Sequence, residues 1–196
     1  MSKTIVYDFD KTLSYGDSME ELFISEMQGL KVVYKFYYYF LKVLSKLRLS
    51  TVIREKEKMI KMLFHSDEMA FRSACERQAK GYKFSPIMEI LKKDVADDNN
   101  RVIVLSASSE FFLNTVFKGI DVEILGTTFL CKGGKILGIK QHPFNHKKVD
   151  SLVEHGVSVV DAAYFDSEWD ECLKPLCRNW YKVKNGIIVE KGSNAI

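Results

Sequence analysis

The chain has 196 residues, of which 46% are hydrophobic and 28% charged, and its net charge is +3. The composition is ordinary for a globular protein, and the length fits one domain or a domain carrying a large insertion. So small a net charge argues against nucleic acid as a partner. No uninterrupted apolar run reaches the roughly 18 residues that a membrane-spanning helix needs. The cysteines show neither zinc-site spacing nor a CxxC pair, and no secretory signal precedes them, so we expect reduced thiols in a cytoplasm.

The first predicted element is a short strand at residues 4–7, which leads directly into Asp8-Phe-Asp10-Lys-Thr12. Two carboxylates at this spacing after a strand can take different roles, because one can attack an electrophile while the other moves protons. Carboxylates this close repel each other unless a cation lies between them, which predicts a hard metal ion such as Mg²⁺. Taken alone, the pattern also fits two acids that cap a turn.

The next segment, from about 17 to 97, has the apolar spacing of successive helices. The predicted N-terminal caps of these helices are Asp17, Ser50, Ser66 and Ser85. A helical block of this length is too long for one crossover between strands. We therefore predict an inserted all-helical cap domain at 16–98, and a catalytic core formed by residues 1–15 and 99–196.

The basic charge of the chain is concentrated in this helical segment. Nine lysines and arginines, including Lys31 and Arg48, lie between positions 31 and 61, opposed only by Glu55 and Glu57. Residues 32–41 are apolar and aromatic with lysines interleaved, so aromatic rings could enter a lipid headgroup region while the lysine ammonium groups stay in water. The alternative is a helix packed against its neighbours with its lysines facing solvent. One hypothesis is therefore peripheral contact with the inner face of the membrane.

The second half of the chain alternates between strands and helices. Strands are predicted at 102–105, 122–125, 159–165, 180–183 and 187–190, a hairpin at 127–138, and helices at 110–118, at 146–155 and from 168. This alternation with short connections predicts an α/β fold, with a mostly parallel sheet and helices on both of its faces.

Polar residues follow three of these predicted strands or begin the next helix. The Ser106 hydroxyl could hold a phosphoryl oxygen, although it also fits an ordinary helix cap. Lys148, or its neighbour Lys147, could offset negative charge at a nucleophile, although most such lysines are simply solvated. Asp166 could complete a metal site with Asp170 supporting it from behind, although Asp166 also fits the cap of the next helix.

Together these segments resemble the four ordered motifs of the haloacid dehalogenase superfamily, and the resemblance covers nearly the whole chain. The helical insertion between the first two motifs resembles the phosphoserine-phosphatase-like branch. Residues 105–112 and 125–138 are similar to lipid-related hydrolases of that branch, such as the phosphatidylglycerophosphatase C enzymes.

The resemblance implies a Rossmann-like core and a Mg²⁺-dependent phosphatase that acts through an aspartyl-phosphate. Asp8 would be the nucleophile, and Asp10 the general acid and base. Mg²⁺ would be held by Asp8, the main-chain carbonyl of Asp10, and Asp166. The remaining motif residues would grip the phosphoryl group (Ser106 and Lys148), shape the loop that binds it (Thr12) and support the site from behind (Asp170).

The implied substrate is a phosphorylated small molecule or a lipid-linked phosphate. Two residues depart from the family pattern, because Lys11 stands where a small residue such as glycine is common and Phe165 replaces a glycine before the metal aspartate. Two further hypotheses stay open at this point. One is a non-catalytic phosphate-binding or membrane-associated adaptor on the same scaffold, and the other is a phosphotransferase.

Overall fold

A computed structural model of the protein describes residues 3–28, 32–47 and 51–196. The strands are β1 (Lys3–Tyr7), β2 (Asn100–Ser109), β3 (Glu123–Lys132), β4 (Lys135–Gln141), β5 (Val160–Phe165), β6 (Cys177–Lys184) and β7 (Ile187–Ser193). The helices are α1 (Ser18–Glu26), α2 (Val32–Lys46), α3 (Val52–Phe64), α4 (Glu68–Ala79), α5 (Ile87–Val95), α6 (Glu110–Val116) and α7 (Lys147–Glu154). A wide turn follows β1, and a 3₁₀ helix (Glu168–Leu176) follows β5.

The strands form one seven-stranded sheet in the order β4-β3-β2-β1-β5-β6-β7. The five inner strands run parallel, and only the edge strands β4 and β7 are antiparallel to their neighbours. β1 lies at the centre, between β2 and β5. Because parallel strands end at the same edge of a sheet, the residues that follow β1, β2 and β5 are brought together there.

Both faces of the sheet are covered by helices, as the sequence predicts. On β1, the side chains of Ile5 and Tyr7 belong to one buried cluster, which continues into the helices between β1 and β2. Val6 points to the opposite face, where Leu152 of α7 and Leu173 of the 3₁₀ helix cover it. This alternation follows from the period of two along a strand. The predicted fold class, an α/β protein with a mostly parallel sheet, is therefore confirmed.

Several local predictions change in detail. The predicted strand at 122–125 and the first arm of the hairpin form one strand, β3, which runs on to a turn at Gly133 and Gly134, where both residues have positive φ. Asp17 accepts a hydrogen bond from a backbone N–H of α1, as predicted. α4 is capped by Asp67 instead of Ser66, because the Asp67 carboxylate takes the N–H of the first turn.

Among the described residues between β1 and β2 there are five helices, α1–α5, which we call the inserted helices. α1 to α4 pack on one another, whereas α5 packs against β2 and against the wide turn after β1. The assignment of residues 16–98 to a separate domain stays a prediction. Lys31, Arg48 and the predicted cap Ser50 lie outside the described residues.

No described helix combines the length and apolar character that crossing a bilayer requires.

A ladder of tyrosine rings underlies the edge of the sheet where the predicted site residues lie. Tyr7, Tyr164 and Tyr181 are paired in register on three neighbouring strands, and successive ring centroids are 4.6 Å apart with nearly parallel planes. Stacked cross-strand pairs stabilise a sheet and fix its register. The ladder therefore fixes the relative heights of Asp8 and Asp166, which lie one and two residues beyond it.

Candidate active site

Asp8 is the first residue beyond β1, and its carboxylate is buried. Its backbone N–H donates to the carbonyl of Tyr164 on β5 at 2.8 Å. The chain then makes one wide turn over Phe9–Leu13, closed by a hydrogen bond from the Ser14 N–H to the Phe9 carbonyl at 3.0 Å. Parallel pairing and this turn together place the Asp8 side chain over the end of the sheet.

Lys11 lies inside this turn with φ of +60°. That is the left-handed region, which costs a residue with a Cβ roughly 1 kcal/mol compared with glycine. The family's preference for a small residue at this position therefore has a backbone cause, and the lysine is accepted at a cost in strain. The other departure, Phe165, is fully buried and packs beside Trp180 on β6, so it belongs to the apolar core.

Asp8, Asp166 and Asp170 form a compact acidic group. One carboxylate oxygen from each lies within 4.8 Å of the others. Oxygen ligands at such separations suit a small hard cation, because Mg²⁺ binds carboxylate oxygens at about 2 Å and keeps several waters. The residues present therefore fit a magnesium ion between Asp8 and Asp166.

Lys148 lies in contact with this acidic group. Its ammonium group donates to Asp8 at 2.6 Å and lies 2.7 Å from Asp170, and its side chain is 3% exposed. The neighbouring Lys147 is exposed on the surface of α7. Of the two lysines proposed from the sequence, only Lys148 contacts the acidic group. These two contacts use two of its three N–H donors, and the third can bind a phosphoryl oxygen.

Burial raises the pKa of the Asp8 carboxyl above its ordinary value, the Lys148 ammonium opposes the rise, and the charges of the neighbouring aspartates add to it. Burial also raises the pKa of Asp166, with Asp170 adding to the effect. Burial alone would lower the pKa of Lys148, but the carboxylates of Asp8 and Asp170 raise it. Lys148 is therefore charged at neutral pH, whereas the crowded carboxylates lack enough positive charge. A divalent cation would supply it.

The Asp10 side chain points away from this acidic group. Its carboxylate accepts hydrogen bonds from the Ser18 backbone N–H at 2.8 Å and from the Ser108 hydroxyl at 2.6 Å. The Ser108 hydroxyl uses its hydrogen in the bond to Asp10, so in the contact between the two serine hydroxyls Ser18 must be the donor and Ser108 the acceptor. Burial, followed by the negative charge of Asp17, raises the pKa of Asp10 to about 6. A carboxyl with this pKa can both give and accept a proton near neutral pH.

Ser106 is buried near the end of β2, and its hydroxyl oxygen accepts a hydrogen bond from the Ser108 N–H at 3.1 Å. The strand continues four residues further than predicted, and α6 begins only at Glu110. The cap of α6 is Ser109, whose hydroxyl accepts from the Phe111 N–H. The helix-cap alternative for Ser106 is therefore wrong. Its hydroxyl hydrogen stays available to an incoming oxygen.

Lys56 of α3 reaches the end of β2 from the inserted helices. Its ammonium group donates to the Ala107 carbonyl at 2.8 Å. Burial lowers the pKa of Lys56, although the nearby charges of Asp17 and Asp10 oppose this. The Ala107 carbonyl also accepts from the Thr127 hydroxyl at 2.7 Å. The contact therefore links α3 to the segment that carries Ser106 and Ser108.

The sequence-predicted residues thus meet at one edge of the sheet, although the roles assigned to them stay predictions. Thr12 is buried, and its hydroxyl lies 3.5 Å from an Asp8 oxygen, a weak contact. Sequence reasoning missed Ser18, Ser108 and Lys56. Ser108 could have been found, because it lies only two residues beyond Ser106, in the serine-rich segment that follows the predicted strand. Lys56 has no such signal, because it stands among other charges on a surface helix.

Similarity to known proteins agrees with this geometry. A model of the haloacid dehalogenase-like hydrolase family matches residues 5–170. Comparison with curated protein sequences gives no significant match.

Three solved structures are similar in fold. The first is a protein of unknown function from Bordetella pertussis Tohama I, with TM-score 0.75, 15% identity, and coverage of 89% of this chain and 87% of that one. The second is a phosphoserine phosphohydrolase-like protein from Francisella tularensis, with TM-score 0.66, 14% identity, and coverage of 92% and 86%. The third is the phosphoserine phosphatase of T. onnurineus, with TM-score 0.54, 18% identity, and coverage of 85% and 76%.

At these identities the structures show only a shared fold, whereas the match to the family model shows which family the chain belongs to. The family predicted from the four sequence motifs is confirmed, and its model spans all four of them. The chain belongs to the haloacid dehalogenase-like hydrolases.

Proposed function

We propose that the protein is a Mg²⁺-dependent phosphatase that hydrolyses phosphate monoesters through an aspartyl-phosphate on Asp8. One observation carries the proposal. The Asp8 carboxylate lies 2.6 Å from the buried ammonium group of Lys148, and one of its oxygens lies within 4.8 Å of an Asp166 oxygen, close enough for one cation to bind both. With a cation bound there, Asp8 would contact two positive charges, which would orient its carboxylate and keep it ionised, as a nucleophile must be.

In the first step, an Asp8 oxygen attacks the phosphorus atom, and the bond from phosphorus to the ester oxygen breaks. The Asp10 carboxyl gives its proton to the departing ester oxygen, which leaves as an alcohol. The hydrogen bonds from Ser18 and Ser108 hold Asp10 apart from the acidic group, so its proton is not shared with Asp8. Its pKa of about 6 suits this transfer.

In the second step, a water molecule attacks the phosphorus atom, and Asp10 takes a proton from that water. The bond between phosphorus and the Asp8 oxygen breaks, which restores the Asp8 carboxylate and releases inorganic phosphate. The same residue therefore acts first as acid and then as base, and the enzyme returns to its starting state.

The remaining site residues would hold the phosphoryl group. The Ser106 hydroxyl and the third N–H of Lys148 are donors that can bind its oxygens. When bound between Asp8 and Asp166, Mg²⁺ would neutralise charge on the phosphoryl oxygens and orient them. Asp170 also binds the Lys148 ammonium group, at 2.7 Å, and so helps to hold it in place.

A cavity beside Asp166 offers a place for the rest of the substrate. It has a volume of about 500 Å³ and is lined by Lys11, Tyr15, Asp166, Lys184 and Val189, among others. The lysines would favour an anionic or strongly polar group, while the tyrosine and valine offer apolar contact. The size suits the alcohol part of a small phosphate monoester, or the headgroup of a lipid-linked one.

The experiment is hydrolysis of a generic aryl phosphate and of a panel of soluble and lipid-linked phosphate monoesters, with Mg²⁺ and with a chelator. We expect turnover with Mg²⁺ and its loss on chelation. The Asp8→Asn variant should be inactive, whereas Asp150→Asn, at an exposed carboxylate on α7, should be unaffected. Turnover by Asp8→Asn at the wild-type rate would contradict the proposal.

A further inference from the structure

Helix α2 and Leu47, the residue that follows it, carry an apolar stripe on their outer surface. Val33, Phe36, Phe40 and Leu47 are 69%, 72%, 56% and 62% exposed. With Tyr37 and Val43, which are also exposed, they recur at the spacing of one helix face. We call these six residues the α2 stripe.

The α2 stripe is separate from the face by which α2 joins the protein. Tyr38 and Leu41 are buried in the core cluster, and Lys42 points to the same inner side, where it pairs with Glu20 of α1 at 2.6 Å. The helix therefore has two apolar faces, and packing against neighbours accounts for only one. The sequence alternative, a helix packed against its neighbours with its lysines facing solvent, accounts for the inner face of α2 but not for the exposed apolar side chains of the stripe. An exposed patch of large side chains in one contiguous stripe marks a binding surface.

Exposed cationic side chains are carried by α2 and by the helix that packs against it. Arg54, Lys58 and Lys61 are exposed along one face of α3, the helix that packs on α2. The two glutamates of α3 do not offset them on that face, because Glu55 is buried and Glu57 accepts a hydrogen bond from the Ile139 N–H at 2.9 Å. Lys35 of α2 is also exposed. The two helices together therefore present an excess of exposed positive charge.

We propose that the α2 stripe docks on the surface of a bilayer that contains anionic lipids. Apolar and aromatic side chains beside lysines and arginines form an interfacial helix, whose apolar face enters the headgroup region while the cations meet lipid phosphates. A second copy of the chain is a poorer fit, because both copies would carry the same excess of exposed positive charge and repel each other. The inference goes beyond the proposed function, since docking requires no step of catalysis.

The test is co-sedimentation of the full chain with vesicles of phosphatidylcholine containing about one-third phosphatidylglycerol, in low salt and in high salt. We expect binding in low salt that weakens as salt rises, and little binding to phosphatidylcholine alone. The Phe36→Ser/Phe40→Ser variant should bind at least about tenfold more weakly, because two exposed rings no longer enter the headgroup region. Lys58→Gln/Lys61→Gln should weaken binding to anionic vesicles.

Matched controls replace residues of the same kind elsewhere on the surface. Met69→Ser/Val153→Ser removes exposed apolar side chains from α4 and α7, and Lys118→Gln/Lys132→Gln removes exposed charges. Both should bind like the wild type, and circular dichroism should show every variant to be folded.

Equal binding by wild type and the Phe36→Ser/Phe40→Ser variant would overturn the proposal. So would failure of the wild type to sediment with anionic vesicles in low salt. A dimer in gel filtration that this variant dissociates, without vesicle binding, would assign the stripe to a second copy of the chain.

Discussion

Lys148 joins Asp8 to Asp170, with its ammonium group 2.6 Å from an oxygen of the first and 2.7 Å from an oxygen of the second. All three side chains are buried, so each charge depends on the others. Removing one partner of a buried ion pair leaves an uncompensated charge, which is more costly than the pair itself is favourable. Lys148 is therefore expected to contribute both to the stability of the fold and to the proposed reaction.

Lys148→Met should therefore lower the free energy of unfolding by about 3 kcal/mol at neutral pH. It should also lower kcat by roughly 100-fold or more, since a donor to the phosphoryl group is lost. Urea denaturation and steady-state kinetics measure the two effects. Lys147→Met is the control, because the neighbouring side chain is exposed. Equal stability of the two variants would refute the structural role of the buried ammonium.

Ser108 should tune Asp10. Its hydroxyl donates to the Asp10 carboxylate and opposes the rise in pKa that burial causes, so that the pKa of that group stands at about 6 with this hydrogen bond in place. Ser108→Ala should raise this pKa further, so the protonated acid should persist to higher pH. The basic limb of the kcat/KM profile should move upward in pH, and kcat should fall by roughly tenfold because Asp10 is less well oriented.

The control for this profile is Ser109→Ala, since Ser109 is equally buried but caps α6. It should lower stability by about 1 kcal/mol and leave the limb in place. A limb that moves to lower pH in Ser108→Ala would show that the titrating group is not the one held by Ser108.

Lys56 should affect substrate binding more than chemistry. Its contact with the Ala107 carbonyl holds α3 against the segment with Ser106 and Ser108, so Lys56→Met should raise KM for an aryl phosphate severalfold with a smaller change in kcat. Lys58→Met is the control, because Lys58 is exposed and lies two residues further along the same helix. Unchanged kinetics in Lys56→Met would mean that this contact does not shape the site.

Lys11 tests the strain in the wide turn. Because its φ is +60°, Lys11→Val should destabilise the protein by about 1–2 kcal/mol, since a β-branched residue suits the left-handed region least. Lys11→Gly should be at least as stable as the wild type. Urea denaturation compares the three proteins, and a glycine variant less stable than the valine variant would contradict the backbone account.

The sequence predicts the arrangement of the sheet better than the arrangement of the inserted helices. Asp8 and Asp166 each follow a short apolar strand, and parallel pairing of those strands brings them together without further information. Ser106 lies where the sequence indicates, but the strand runs past it to Ser109. The sequence does not predict this extension, because local apolar content does not mark the irregular end of a strand.

The contacts of Asp10 and Lys56 lie beyond such reasoning. Ser18 and Ser108 are 90 residues apart, and only the packing of α1 against the end of β2 joins them to Asp10. For α2, the sequence shows apolar residues on most sides but does not show which face the protein buries. Tertiary packing decides which face is buried, and it leaves the side chains of Phe36 and Phe40 exposed to solvent.

The most direct test of the central claim is detection of the covalent intermediate. The wild-type protein is mixed with Mg²⁺ and a substrate found in the panel, quenched in acid, and digested for mass spectrometry. We expect one phosphoryl group on the peptide that contains Asp8, its release by hydroxylamine, and its absence in Asp8→Asn. A phosphoryl group on another residue, or turnover with no phosphorylated peptide under conditions that trap acyl phosphates, would contradict the account.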